Sequence, residues 1–166
     1  MPAIALMSGS ALGADGFRVL DFASLHRSDI PELVRITREN MSEIILSAWG
    51  VEWRDETLLE TLMDANLNIE VALEGKSVVG YFVLDQMEDY VFIISIQLQK
   101  DHQGHGMGRC MMERVEDLAV RSGLEGVELC VQSTNQQAIG FYRHLGYRMA
   151  SRRRNNLTMR KQFSLE

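Results

Sequence analysis

The chain has 166 residues, with 23 acidic against 17 basic side chains and a formal net charge of −6. That length suits one domain, and 46% apolar or aromatic residues against 24% charged ones exclude wholesale disorder. Two cysteines exclude a multi-bridge scaffold and a four-thiolate zinc site, and the acidic balance argues against nucleic acid as a partner. No apolar run approaches the roughly 20 residues of a membrane span. The opening Met1-Pro2-Ala3-Ile4 lacks the positive charge of a secretory signal. A cytoplasmic globular protein with no membrane partner is expected.

Residues 1–16, rich in Gly, Ser and Ala, read as a flexible N-terminal tail ahead of one domain over 17–166. Phe17 to Phe22 alternates as a first strand. Ser28 then reads as an N-cap with Pro31 just inside the helix, and apolar residues from Ile30 to Ile45 carry one or two helices to Gly50. Asp55 to Ala65 is a short amphipathic helix. Strands at 69–73 and 78–84 flank the tight turn Glu74-Gly75-Lys76, and the nearly continuous apolar run Tyr90–Leu98 reads as a central strand. A helix runs from about Gly106 to a stop at Gly123. A strand over 127–131 leads to Asn135, a plausible N-cap for a helix ending at Gly146. Segments 147–150 and 157–163 close a hairpin around Arg152–Asn156. These elements predict a single mixed α/β (α+β) domain, its mostly antiparallel sheet of about six to seven strands flanked by about four helices.

The segment Gln103-Gly104-His105-Gly106-Met107-Gly108 lies between the central strand and a long helix. Glycines let the chain curl until successive amide N–H groups point inward, and the helix adds its positive N-terminal end. That combination suits a phosphate or pyrophosphate, although glycine spacing by itself leaves an ordinary strand-to-helix turn equally open. A Walker loop would end in Gly-Lys-Ser/Thr, whereas Arg109-Cys110 follows Gly108.

Gln103, Gly106 and Gly108 match Gln/Arg-x-x-Gly-x-Gly/Ala, and Asn135 to Tyr147 matches Asn-x-x-Ala-x-x-Phe-Tyr-x-x-x-Gly-Phe/Tyr. In both segments the sequence resembles the GCN5-related N-acetyltransferase superfamily. The resemblance follows element order over roughly 17–163 and is sharp from Ile93 to Tyr147. It implies an enzyme that transfers an acetyl group from acetyl-coenzyme A directly to an amine, small-molecule or peptide, with no metal. Residues Gln103, Gly104, His105, Gly106, Met107 and Gly108 are then expected to hold the pyrophosphate. The edge Ile96-Gln97-Leu98 would pair with the pantetheine arm, and Asn135 would cap its helix or hydrogen-bond that arm. Tyr142 is the expected general acid for the departing thiolate, against the alternative that it only packs.

The resemblance also implies a glutamate on the central strand as base, and Ile94 stands there instead. Glu52, Glu88 and Asp89 are speculative replacements, and a water route past Ser95 or Gln97 is the favoured one. The missing glutamate keeps a non-catalytic acyl-coenzyme A sensor as a rival. His102 and His105 lack a third ligand at matching spacing, and Cys110 and Cys130 read as small buried residues. Ten acidic residues fall between Glu32 and Glu74, and seven of the 17 basic ones between Arg143 and Lys161. Solvated helix faces explain the first group slightly better than an acidic rim for a cationic acceptor. The oligomeric state is open, and a homodimer is compatible with the sequence.

Overall fold

The computed structural model describes residues 20–164, together with the strand β1 (Ile4–Ala5). The remaining residues of the expected tail, and Phe17 to Val19 of the expected first strand, lie outside the described residues. From there the order is β2 (Asp21–Ser24), α1 (Ile30–Trp49), α2 (Asp55–Leu62), β3 (Asn68–Glu74), β4 (Ser77–Gln86) and β5 (Tyr90–Leu98). It continues with α3 (Met107–Arg121), β6 (Gly126–Gln132), α4 (Gln136–His144), β7 (Arg148–Arg153) and β8 (Asn156–Gln162). The expected elements are present in the expected order.

The strands form one sheet in the order β2-β3-β4-β5-β6-β8-β7. Neighbours in this order are antiparallel except β5 and β6, which run parallel because α3 crosses over between them, and β1 adds a second parallel pair with β5 at Ser95 and Ile96. One face carries α3 and α4 over a core that includes Phe82, Ile93, Ile96, Met111, Leu129 and Tyr142. The other carries α1 and α2 over Leu33, Leu58, Val71, Tyr81 and Val83. The two-layer burial on each face accounts for the apolar run of β5.

Local chemistry corrects several boundaries. Ser28 does not cap α1. It lies in a 3-10 turn, and Asp29 takes the cap position, its Oδ2 accepting from the His26 N–H at 2.9 Å across that turn. The apolar pattern up to Gly50 is one helix, closed by Gly50 at φ 65°. Helix α2 stops at Leu62 rather than Ala65, because Asp64 Oδ1 accepts from the Asn66 N–H at 2.9 Å and stabilises a turn. The last hairpin turns on Arg154-Asn155, so β7 runs three residues further than expected and β8 lies one residue earlier, at Asn156–Gln162.

Gly126 shows how tightly β6 and β8 approach. A Cβ there would lie 2.1 Å from the Lys161 carbonyl oxygen and 3.0 Å from Gln162 Cα, both backbone atoms. Gly126→Ala should therefore force the strands apart and cost about 2–3 kcal/mol. Urea unfolding of the variant should show that loss as a lower midpoint at unchanged slope.

Candidate active site

Strands β5 and β6 are paired only from Tyr90/Gly126 to Ile93/Leu129. Beyond that point β5 follows β4 as far as Leu98, and β6 follows β8 as far as Gln132. The two strands thus part, and a gap opens between their C-terminal ends. A β-bulge marks the parting: Val83 pairs with Ser95 and Leu84 with Ile93, leaving Ile94 as the extra residue. Ile94 packs on the α1–α2 side of the sheet.

The glycine loop sits at the mouth of this gap. Gly104 and Gly106 hold φ of 78° and 81°, a left-handed backbone that disfavours any side chain. Gly106 is the N-cap of α3, no side chain caps that end, and its first turn carries no acidic residue. The first helical bond runs from the Cys110 N–H to the Gly106 carbonyl, so the N–H groups before it project from the helix end. A Cβ built on Gly106 would meet nothing within 4 Å, so space lies open in front of them. His105 is exposed on the loop. Met107 is buried in the core and contributes its backbone alone to the loop.

The edge expected to take the pantetheine arm is less open than the sequence suggests. Ile96 pairs with Ala5 of β1. The Leu98 carbonyl accepts from Asn40 Nδ2 and from Gln103 Nε2, each at 2.9 Å, which engages both of its lone pairs. The Gln97 side chain is buried and its Oε1 accepts from Asn40 Nδ2 at 3.1 Å. Gln103 thereby ties the loop to the end of β5.

A cavity of about 530 Å³ lies at this level. Its walls are Glu39, Asn40 and Glu43 of α1, Gln103 and Lys100 after β5, and Gln132 and Asn135 at the end of β6. Asn135 acts as the cap that the sequence favours, its Oδ1 accepting from the Ala138 N–H at 3.1 Å. Helix α4 carries Tyr142, which is fully buried with its ring edge-on to Phe141 and Tyr147 at centroid distances of 5.3 and 5.8 Å. The Tyr142 hydroxyl is buried without a partner among the described residues, and burial raises its pKa. It therefore keeps its proton.

On the α1–α2 side, Tyr81 is buried with its hydroxyl 2.5 Å from Thr37 Oγ1 and 3.5 Å from Ser95 Oγ. Thr37 Oγ1 in turn donates to the Leu33 carbonyl at 2.7 Å. Burial pushes the Tyr81 phenol up to about 12. Glu88 and Asp89 are exposed in the β4–β5 turn, on the far side of the paired part of β5 and about 20 Å along the strand from Ser95, where the gap has opened. They cannot serve as bases. Glu52 is exposed in the connection between α1 and α2. Cys110 and Cys130 are free thiols, half-buried rather than buried as expected.

Asn40, Thr37 and Gln132 were not singled out by sequence reasoning. The signal for two of them exists: Thr37 and Asn40 fall on the apolar stripe of α1, beside Leu33, Ile36 and Met41. A polar residue on such a stripe needs a buried partner.

The match of residues 32–147 to the model of the Acetyltransferase (GNAT) family covers most of the chain. The chain belongs to that family. It is an enzyme, an N-acetyltransferase that draws its acetyl group from acetyl-coenzyme A. It is similar to the [Ribosomal protein bS18]-alanine N-acetyltransferase of Escherichia coli K12, 26% identical over 133 residues, 80% of this chain and 84% of that one. The crystal structure of the ribosomal-protein-S18-alanine N-acetyltransferase from Escherichia coli superposes with a TM-score of 0.69 at 20% identity, covering 89% and 96% of the two chains. PaiA N-acetyltransferase from Thermoplasma acidophilum, in complex with coenzyme A, gives 0.76 at 15% identity over 87% and 99%. Both structures show the fold.

Burial makes a pH prediction about the site's phenols. Of the four tyrosines, Tyr81, Tyr142 and Tyr147 have pKa values raised by burial, Tyr147 also by Glu116. An unfolded phenol ionises near pH 10. Above that pH the unfolded state releases protons that the folded state retains, so stability falls as pH rises. For Tyr81 the loss runs from about 10 to about 12. Titration should show phenolate absorbance from these three tyrosines appearing only together with loss of the folded circular dichroism signal.

Proposed function

We propose that residues 17–166 form a domain that acetylates the α-amine of a protein or peptide. In this reading the pyrophosphate of the coenzyme rests on the N–H groups of residues 103–108, and its arm enters the gap between β5 and β6. The acceptor amine attacks the thioester carbonyl carbon, and a backbone N–H of β5 beyond Ile93 stabilises the charge on the carbonyl oxygen. The carbon–sulfur bond then breaks, and Tyr142 donates its hydroxyl proton to the departing thiolate. The proton lost from the amine leaves through water.

The observation that carries the acceptor is the composition of β5. Tyr90–Leu98 contains no carboxylate, so an amine with a substantial neutral fraction near neutral pH is favoured. An α-amine has that property and a lysine does not. The Escherichia coli relative is named for an alanine of a ribosomal protein, which agrees in kind. Two free cysteines and the family's coenzyme suit the reducing cytoplasm. Among the described residues no helix is long and apolar enough to cross a membrane.

Peptides with either a free α-amine or a blocked N-terminus and free lysines test the acceptor. Mass spectrometry should find acetylation on the α-amine alone; faster modification of the lysine peptides would overturn the reading. Tyr142→Phe keeps the ring packing and removes the proton, so turnover should fall by about 10²–10⁴-fold with coenzyme affinity little changed. Gly106→Val should abolish coenzyme binding in calorimetry, since the side chain enters the space before the helix end and strains φ 81°.

A further inference from the structure

The tip of the last hairpin is Arg152-Arg153-Arg154, and all six residues of β7 are exposed. The chain from Leu129 to Leu165 contains no acidic residue, and Arg160 and Lys161 on β8 reach back to Glu128 and Glu116 for partners. Among the described residues the three tip arginines meet no carboxylate; Arg152 Nε donates to the Arg154 carbonyl at 3.4 Å. Arg154 stands at φ 55°, the only non-glycine residue with a positive φ among the described residues. Glycine would fill that position at less cost. Three adjacent unpaired cations, one of them on a strained backbone, work against folding and suit the binding of an anion. The tip also borders the site. Arg153 pairs with Asn156 and Asn156 with Gln132, while the Ser133 N–H donates to the Asn155 carbonyl at 2.7 Å. Gln132 and Thr134 line the cavity beside the gap. Two strand spacings, about 10 Å, therefore separate the Arg153 backbone from the cavity rim.

We propose that Arg152, Arg153 and Arg154 select acceptor proteins with an acidic amino-terminal segment, binding carboxylates about three to five residues beyond the acetylated amine. This rests on the α-amine reading given above and deepens it by naming the acceptor's chemistry. An extended peptide crosses the 10 Å from the cavity rim to Arg153 in about three residues, which sets the position of the carboxylates. The order of charge agrees. The α1 wall of the cavity carries Glu39 and Glu43, so a segment lying across it meets negative charge at one side and the arginines at the other. A partly cationic amine followed by carboxylates has the matching sequence of charge. Arginine suits the task, since its planar fork takes a carboxylate through two parallel hydrogen bonds.

Three lysine-free peptides with a free α-amine, identical except for Glu, Gln or Arg at positions three to five, test this. Their kcat/KM should fall in the order Glu, Gln, Arg, with about tenfold between the extremes at low ionic strength and much less at about 0.5 M salt. Arg152→Gln combined with Arg153→Gln should raise KM for the Glu peptide several-fold rather than lower kcat, with calorimetric coenzyme A affinity as in the wild type. Arg154→Gly should weaken the same preference while the melting temperature stays equal or rises, because glycine suits φ 55°. Arg154→Lys should keep the preference. Acetylation of the α-amine with no charge preference, or with Arg preferred, overturns the proposal and leaves the α-amine reading standing. A loss of coenzyme A affinity in the arginine variants would assign the tip to the coenzyme phosphates and overturn it too. No α-amine product from any of the three peptides would refute the α-amine reading itself, and the proposal with it.

Discussion

The parting of β5 from β6 after Ile93 and Leu129 is the constraint on which the rest depends. Two parallel strands that separate inside a sheet expose rows of N–H and C=O groups with no neighbour to pair them. The protein covers this opening piece by piece. Strand β1 pairs at Ser95 and Ile96, while Asn40 and Gln103 close the Leu98 carbonyl. The bulge at Ile94 turns the strand where pairing ends. Because α1 supplies Asn40 and Thr37, this helix acts as a wall of the site as well as a cover for the core. The glycine loop then has a fixed anchor, since Gln103 bonds to the strand end that precedes it.

Charge follows a similar logic of internal satisfaction. The acidic excess of the first half reads from the sequence as an open rim, but much of it is paired on the helices themselves. Arg35 bonds Glu32 at 2.5 Å and Glu39 at 2.7 Å, and Arg38 pairs with Asp55. These pairs are largely exposed and contribute little to stability. Their effect is on the field: they reduce the net charge presented by α1 and leave Glu43, with Lys100 close by in the lining, at the cavity. A steep electrostatic preference for polycations is therefore not built in.

The glycine loop and the Asn-to-Tyr segment were legible because their residues are chosen by backbone geometry. Gly104 and Gly106 need positive φ, and Asn135 caps its helix through its own side chain, so each leaves a local signature. Gln132 leaves none that separates it from a solvated position, and Thr37 and Asn40 leave only their place on the apolar stripe of α1. Their roles come from what lies across the fold, 58 residues away in sequence for Asn40 and Leu98 and 44 for Thr37 and Tyr81. Glu88 and Asp89 failed for the opposite reason. Nearness in sequence to β5 suggested nearness to the chemistry, yet a strand carries its two ends far apart. Ser28 lost the cap to its neighbour because a 3-10 turn shifted the start of α1 by one position.

The absent base is best understood through the proton each group can hold. The Thr37–Tyr81–Ser95 cluster lies beneath the bulge, and it offers hydroxyls rather than a base. With the Tyr81 phenol pushed up to about 12, its phenolate is negligible at neutral pH. Thr37 Oγ1 is committed to the Leu33 carbonyl as a donor, which fixes the direction of the chain of bonds: Tyr81 donates to Thr37. The Tyr81 oxygen is then an acceptor toward Ser95, which leaves the Ser95 oxygen as an acceptor. Such a chain can orient a water but cannot hold an extra proton. Near pH 7.4 about a fifth to a third of α-amines are already neutral, against about one lysine in a thousand. An acceptor that arrives deprotonated needs no carboxylate, so the proposed α-amine is consistent with a β5 that carries none and with a buried cluster that offers only hydroxyls.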